Sequence, residues 1–143
     1  MNKFSSASES RLETLDERLQ RIARIVVARY DCSVICGHRS DEDQDLAFFT
    51  GRSKLRAGQS KHNQFPALAV DLAPYYADES PRIPWDIDTP ENRLRFTLFA
   101  GIVLGVAEAE GVSLRWGGDW DGDRKMNDQT FHDLPHFEII DAG

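Results

Sequence analysis

Apolar residues recur at helical spacing in two long stretches and alternate, or run together, in several short ones. In residues 10–30, Leu12, Leu15, Leu19, Ile22 and Val26 follow one another at intervals of three and four, which predicts one amphipathic helix. Ser10 is its expected N-cap, and residues 1–9 form an expected flexible tail. Arg11, Glu13, Asp16, Glu17, Arg18 and Arg21 make the solvated face. Residues 32–36 are apolar and partly β-branched, as in a buried strand. Gly37-His38-Arg39 then leads to Ser40, which caps a helix to about residue 51 with Asp41, Glu42 and Asp43 in its first turn. In residues 67–72, Leu68, Val70 and Leu72 alternate onto a core face, leaving Ala67, Ala69 and Asp71 on the other. Thr89-Pro90-Glu91 opens a second long helix that Gly111 ends. Leu94, Leu98, Ile102 and Val106, widened by Phe99 and Val103, are its expected core face, and Gly101 and Gly105 would let another element come close. A strand over 112–116, a polar loop over 117–134 and a strand over 136–140 complete the chain. In that last strand Phe137 and Ile139 face one way, His136 and Glu138 the other. The pattern predicts an α+β fold, a small, mainly antiparallel sheet packed against helices.

Composition narrows the function more than the fold. The 143 residues suit a single domain over 1–143, and a monomer is expected. With 24 acidic and 17 basic residues the net charge is −7, which argues against nucleic acid and against anionic membrane surfaces as partners. No stretch approaches the ~20 apolar residues of a membrane span, and the polar first ten residues lack the apolar core of a signal peptide. The expectation is synthesis in the cytoplasm, with another factor giving access to any target beyond it. Cys32 and Cys36 lie four apart on a predicted strand, about 13 Å from each other, too far for a disulfide. They are expected to be small buried thiols of a protein made in a reducing compartment.

The candidate chemistry starts from Asp71. A carboxylate in an otherwise uncharged strand needs a partner, and a metal ion is a natural one. Only four histidines are present, His38, His62, His132 and His136, all at strand ends or in loops. His62, Asp71 and His136 with a water would make a catalytic type of zinc site. Spacing alone leaves open that the two histidines are ordinary polar residues and that Asp71 caps a turn. Neither HExxH nor CxxC occurs. Gln44 is expected to face the cleft from the helix after Arg39. Trp116 and Trp120, flanking Gly117-Gly118-Asp119, either wall a groove or pack inside. Asp119, Asp121 and Asp123 around Gly122, followed by Asn127 and Asp128, offer alternating oxygens that can bind calcium; a solvated acidic loop is the plainer alternative.

Four segments together resemble the M15 family of zinc peptidases, most of all the L-alanyl-D-glutamate endopeptidases found among phage endolysins. They are Ser60-Lys61-His62, Ala69-Val70-Asp71-Leu72, Trp116-Gly117-Gly118-Asp119-Trp120 and Asp133-Leu134-Pro135-His136-Phe137-Glu138. The likeness runs from about residue 37 to 140. It implies the fold shared by the Hedgehog domain and the D-Ala-D-Ala peptidases, with His62, Asp71 and His136 as zinc ligands. It implies Asp133 as general base and Arg39 as the group that binds or polarises the substrate carbonyl. Asp133 would reach His136 through a turn at Leu134-Pro135. Glu138, on the same strand face as His136, is the rival base and otherwise orients a ligand. Ser60 would either touch substrate or hold its loop, and Trp120 would wall the groove. The implied activity is zinc-dependent hydrolysis of a peptide bond in the peptidoglycan stem, between L-alanine and D-glutamate, at the cell wall. A D-Ala-D-Ala carboxypeptidase is the alternative within the family, and a non-catalytic zinc-containing binding module the alternative outside enzymes. Arg39 and the basic loop 52–56 would favour the anionic substrate.

Overall fold

The computed structural model describes residues 2–125 and 132–140. Its elements, in chain order, are α1 (Ser6–Leu12), α2 (Glu17–Arg29), β1 (Cys32–Cys36), α3 (Asp41–Phe49), a 3-10 turn (Lys61–Asn63), β2 (Ala69–Pro74), α4 (Pro90–Ala109), β3 (Leu114–Gly117) and β4 (Asp133–Ile139). The four strands form one antiparallel sheet in the order β1-β2-β4-β3. The helices α2 and α4 pack together, and α4 lies across β2, β3 and β4. The α+β expectation holds. No helix among the described residues is long and apolar enough to cross a membrane.

The expected helix over 10–30 is two helices, and the expected tail is ordered from Ser6. Ser5 caps α1, and α1 then closes the free edge of β1: Val34 N–H donates to Ser8 Oγ at 3.0 Å and Arg11 donates to Val34 O at 3.1 Å. The chain breaks because the backbone at residues 14–16 turns aside to pair with Ala67, through Asp16 N to Ala67 O at 3.0 Å and Ala67 N to Thr14 O at 2.9 Å. Asp16 then caps α2. Leu12, Leu15 and Leu19 are all buried across the break, so the apolar period continues where the helix does not.

The strand expected over 67–72 runs over Ala69–Pro74, with Ala67 held by its separate bridge to Leu15. Val70 and Leu72 enter the core as expected, but Ala67 and Ala69, expected on the face of Asp71, are fully buried too. In α4 the core face is rotated from the expected one. Phe96, Phe99, Ala100, Val103, Val106 and Ala107 are buried, whereas Leu94 and Leu98 are 69% and 61% exposed. The helix is apolar on two sides, and the side with the aromatic rings wins the core, where Phe99 meets Tyr30 and Phe137 edge-on. Gly101 and Gly105 lie exposed with open space around them, so neither serves a close approach. Thr89 precedes Pro90 as expected but makes no side-chain cap; its hydroxyl donates to Asp86 O instead.

Candidate active site

The face of the sheet turned away from α4 carries the polar residues. β2 and β4 pair with Asp71 opposite His136, which sets those two side chains next to each other. His62 arrives from the 3-10 turn. Ser60 caps that turn, its Oγ accepting from His62 N, while Asn63 Oδ1 accepts from Ser60 N, both at 3.1 Å. Gly37 is required at the end of β1, because a Cβ there would sit 2.3 Å from Thr14 Oγ1 and 2.5 Å from Arg11 O. Its carbonyl accepts from His62 Nδ1 at 2.7 Å.

These contacts fix what the two imidazoles present. A carbonyl can only accept, so the hydrogen of His62 sits on Nδ1, and Nε2 keeps its lone pair when the ring is neutral. His136 Nε2 donates to Glu138 Oε1 at 2.8 Å, leaving Nδ1 as its acceptor. His62 Nε2, His136 Nδ1 and Asp71 Oδ1 then form a triangle with sides of 3.1, 3.3 and 3.3 Å. A tetrahedral zinc with bonds of 2.0–2.1 Å has ligand–ligand edges of roughly 3.3 Å, so the donor set fits in type and in spacing. Burial disfavours a proton on either ring, but the Asp71 carboxylate outweighs it, raising His62 to about 10 and His136 to about 9. Burial also works against ionised Asp71, and the charge of His62 with the hydrogen bonds of both rings still holds it below the usual carboxylate range. A cation bound by the three would replace those protons.

Asp133 opens β4 rather than lying in a turn before it, so the expected turn at Leu134-Pro135 is a bulge inside the strand pairing: Trp116 pairs with Phe137 and Gly117 already with Asp133. Both glycines after Trp116 serve this bulge. A Cβ on Gly117 would meet Asp133 O at 2.0 Å, and one on Gly118 would meet the Trp116 ring at 2.5 Å. The Trp116 indole donates to Leu134 O at 2.7 Å and is buried. The bulge brings Asp133 Oδ2 within 4.0 Å of His136 Nδ1. Burial first, then the charge of Asp71, pushes Asp133 up to about 6.

Arg39 lies on the other side, its Nη2 3.6 Å from Asp71 Oδ2. Gln44 does not face the cleft: it is fully buried, accepts from Arg39 at 3.0 Å and donates to Leu55 O at 2.7 Å, holding the arginine and the loop after α3 together. Trp120 tilts against His136, ring centres 5.4 Å apart, and lines the cleft. The cleft is a cavity of about 960 Å³, with Arg39, Arg52, Lys54, Lys61 and Arg115 on its walls and Trp85 half-exposed at its rim. Arg56, the remaining cation of loop 52–56, instead stacks on Phe48 and Phe49.

Sequence reasoning passed over Arg115 and expected Cys36 to be a buried thiol, whereas Cys36 is half-buried and lines the cleft. Arg115 pairs across the strands with Glu138 and donates to its Oε2 at 2.8 Å, with Lys61 Nζ at 3.3 Å. Burial would raise Glu138, but its hydrogen bonds from His136 and Arg115 hold it at about 2. Opposite charges at alternate positions of two short strands were the available signal. The carboxylates of Asp119, Asp121 and Asp123 gather within 4.8 Å, and Asp119 Oδ1 is buried without a partner among the described residues. Asn127 and Asp128 lie outside the described residues.

Comparison with known proteins follows the same lines. The family model of the phage L-alanyl-D-glutamate peptidase matches residues 1–140. The L-alanyl-D-glutamate peptidase of Escherichia phage T5 is 28% identical over 144 residues, covering 96% of this chain and 98% of that protein. The crystal structure of the Serratia marcescens L-Ala D-Glu endopeptidase ChiX shares the fold, with a TM-score of 0.69 and 24% identity over 97% of this chain and 91% of that one. The chain belongs to the phage L-alanyl-D-glutamate peptidase family.

Proposed function

We propose that the protein is a zinc-dependent endopeptidase that cuts the bond between L-alanine and D-glutamate in the peptidoglycan stem. The observation that carries this reading is the convergence of three buried acceptors, His62 Nε2, Asp71 Oδ1 and His136 Nδ1, at the spacing of a zinc coordination shell. Bound there, zinc would supply a Lewis acid and make hydroxide available near neutral pH. Asp133 takes the proton of the attacking water and passes it to the leaving amine as the C–N bond breaks and the C–O bond forms. Arg39 faces the negative charge that develops on the carbonyl oxygen. Glu138 keeps the ring of His136 in the tautomer that offers Nδ1. Arg52, Lys54 and Lys61 on the cleft wall suit the carboxylates of the stem peptide. We read the protein as a monomeric enzyme acting at the cell wall. The Asp119, Asp121 and Asp123 group, with its orphaned carboxylate oxygen, is read as a weaker site for calcium.

Digestion of defined muropeptides, with mass spectrometry of the new ends, tests the assignment. New L-alanine carboxyl and D-glutamate amino ends are expected. Release of terminal D-alanine alone would mean a carboxypeptidase, and no cleavage by the zinc-loaded protein would leave a binding module. Calorimetry with calcium tests the acidic loop: heat of binding that Asp119→Asn removes is expected, and absence of heat refutes that site.

A further inference from the structure

The two edges of the His136 ring face different neighbours. Asp133 approaches at Nδ1, and Glu138 is bonded at Nε2. Around Glu138 there is more positive charge than the protein's own contacts use. Its Oε1 accepts from His136 at 2.8 Å, while its Oε2 meets two cations, Arg115 Nη2 at 2.8 Å and Lys61 Nζ at 3.3 Å. Arg115 is there because β3 pairs it with Glu138, and Lys61 because it precedes His62 in the 3-10 turn. Two positive charges against one negative leave a surplus of one beside the donor triangle. The donors of the two cations are not used up either. A guanidinium carries five N–H groups and an ammonium three. Among the described residues the Arg115 guanidinium makes one hydrogen bond, and its Nε is buried without an acceptor. Lys61 donates to Ile139 O besides meeting Glu138. Both side chains are partly exposed, 37% for Arg115 and 29% for Lys61, and both line the cleft.

We propose that Arg115 and Lys61 form the subsite for the free α-carboxylate of the D-glutamate that follows the cut bond. This rests on the endopeptidase reading of the preceding section. In the stem peptide D-glutamate continues the chain through its γ-carboxyl group. Its α-carboxylate therefore stays free, on the same carbon that bears the leaving amine. An ordinary α-linked peptide has no anion at that place. The surplus charge is separated from Nδ1 of His136 by that ring and by the Glu138 carboxylate. With its amine at Asp133, the D-glutamate has only to reach across His136 to bring its α-carboxylate to the cations. Glu138 holds the two cations side by side, and the charge it leaves over selects the anion.

Two synthetic stem peptides test this, alike except that the D-glutamate α-carboxylate of one is a carboxamide in the other. The amide keeps the shape, loses the charge and turns an N–H donor towards two other donors. The zinc-loaded full chain is expected to cleave the carboxylate peptide with a kcat/KM about 10–100-fold above that for the amide. Arg115→Gln and Lys61→Met should each lower cleavage of the carboxylate peptide towards that of the amide, so that the ratio shrinks. If Arg115 did no more than hold Glu138, its loss would slow both peptides alike and leave the ratio standing. Equal cleavage of the two peptides by the parent protein overturns the proposal and leaves the endopeptidase reading intact. A parent ratio that survives in both variants does the same. The comparison on the parent protein needs no variant to fold. Cleavage of neither peptide refutes the endopeptidase reading, and the subsite with it.

Discussion

The two faces of the sheet are made by the same strands and depend on different physics. Under α2 and α4 lie Val70, Leu72, Phe137 and Ile139, each no more than 4% exposed. On the opposite face the intervening residues Asp71, His136 and Glu138 meet His62, Lys61 and Arg115 through directed contacts of 2.8–3.3 Å. The core face is sustained by area and volume, which many side chains share, so damage there is graded. The cleft face is sustained by a few oriented bonds to buried charges, and removing one leaves its partners stranded. Stability and activity should therefore be separable by substitutions one residue apart.

The largest expected effect tests that separation at the cleft. His136→Ala should abolish muropeptide cleavage while the far-ultraviolet circular dichroism of the sheet and helices stays native. Next comes Asp133→Ala, expected to lower kcat by about 10²–10⁴ while zinc content is unchanged. A parallel loss of zinc would move Asp133 from base to ligand. On the other face, Phe137→Ala should cost about 3–5 kcal/mol in urea unfolding, with cleavage per folded molecule retained at low temperature. Loss of zinc in Phe137→Ala without loss of stability would break the comparison. The smallest effect is expected for Glu138→Gln, which keeps the shape beside His136 but removes the charge. Its zinc affinity should fall by about 10–100-fold in a competition with a chelating dye.

The alternating half of this picture was legible in the sequence. Phe137 and Ile139 against His136 and Glu138, and Val70 and Leu72 against Asp71, declare their faces through a period of two. What was not legible is what register and competition decide. Leu12, Leu15 and Leu19 keep their spacing across the break between α1 and α2, so only Asp16 as a cap marked it. In α4 two apolar stripes competed, and the rings of Phe96 and Phe99 outweighed Leu94 and Leu98. The two bulges that aim Cys36 and Asp133 into the cleft arise from cross-strand pairing, which no single segment encodes. Gly117 and Gly118 carried a trace of the second, since a Cβ would meet the Asp133 backbone at the first and the Trp116 ring at the other. Arg115 and Gln44 are tied to the site through what they hold, Glu138 and Arg39.

The account turns on one claim, that His62, Asp71 and His136 hold a zinc ion. Native mass spectrometry of the protein purified without chelator tests it most directly. The predicted result is one zinc per chain, absent from His62→Ala. A metal-free parent chain that still cleaves peptidoglycan, or an undiminished zinc content in His62→Ala, would contradict it.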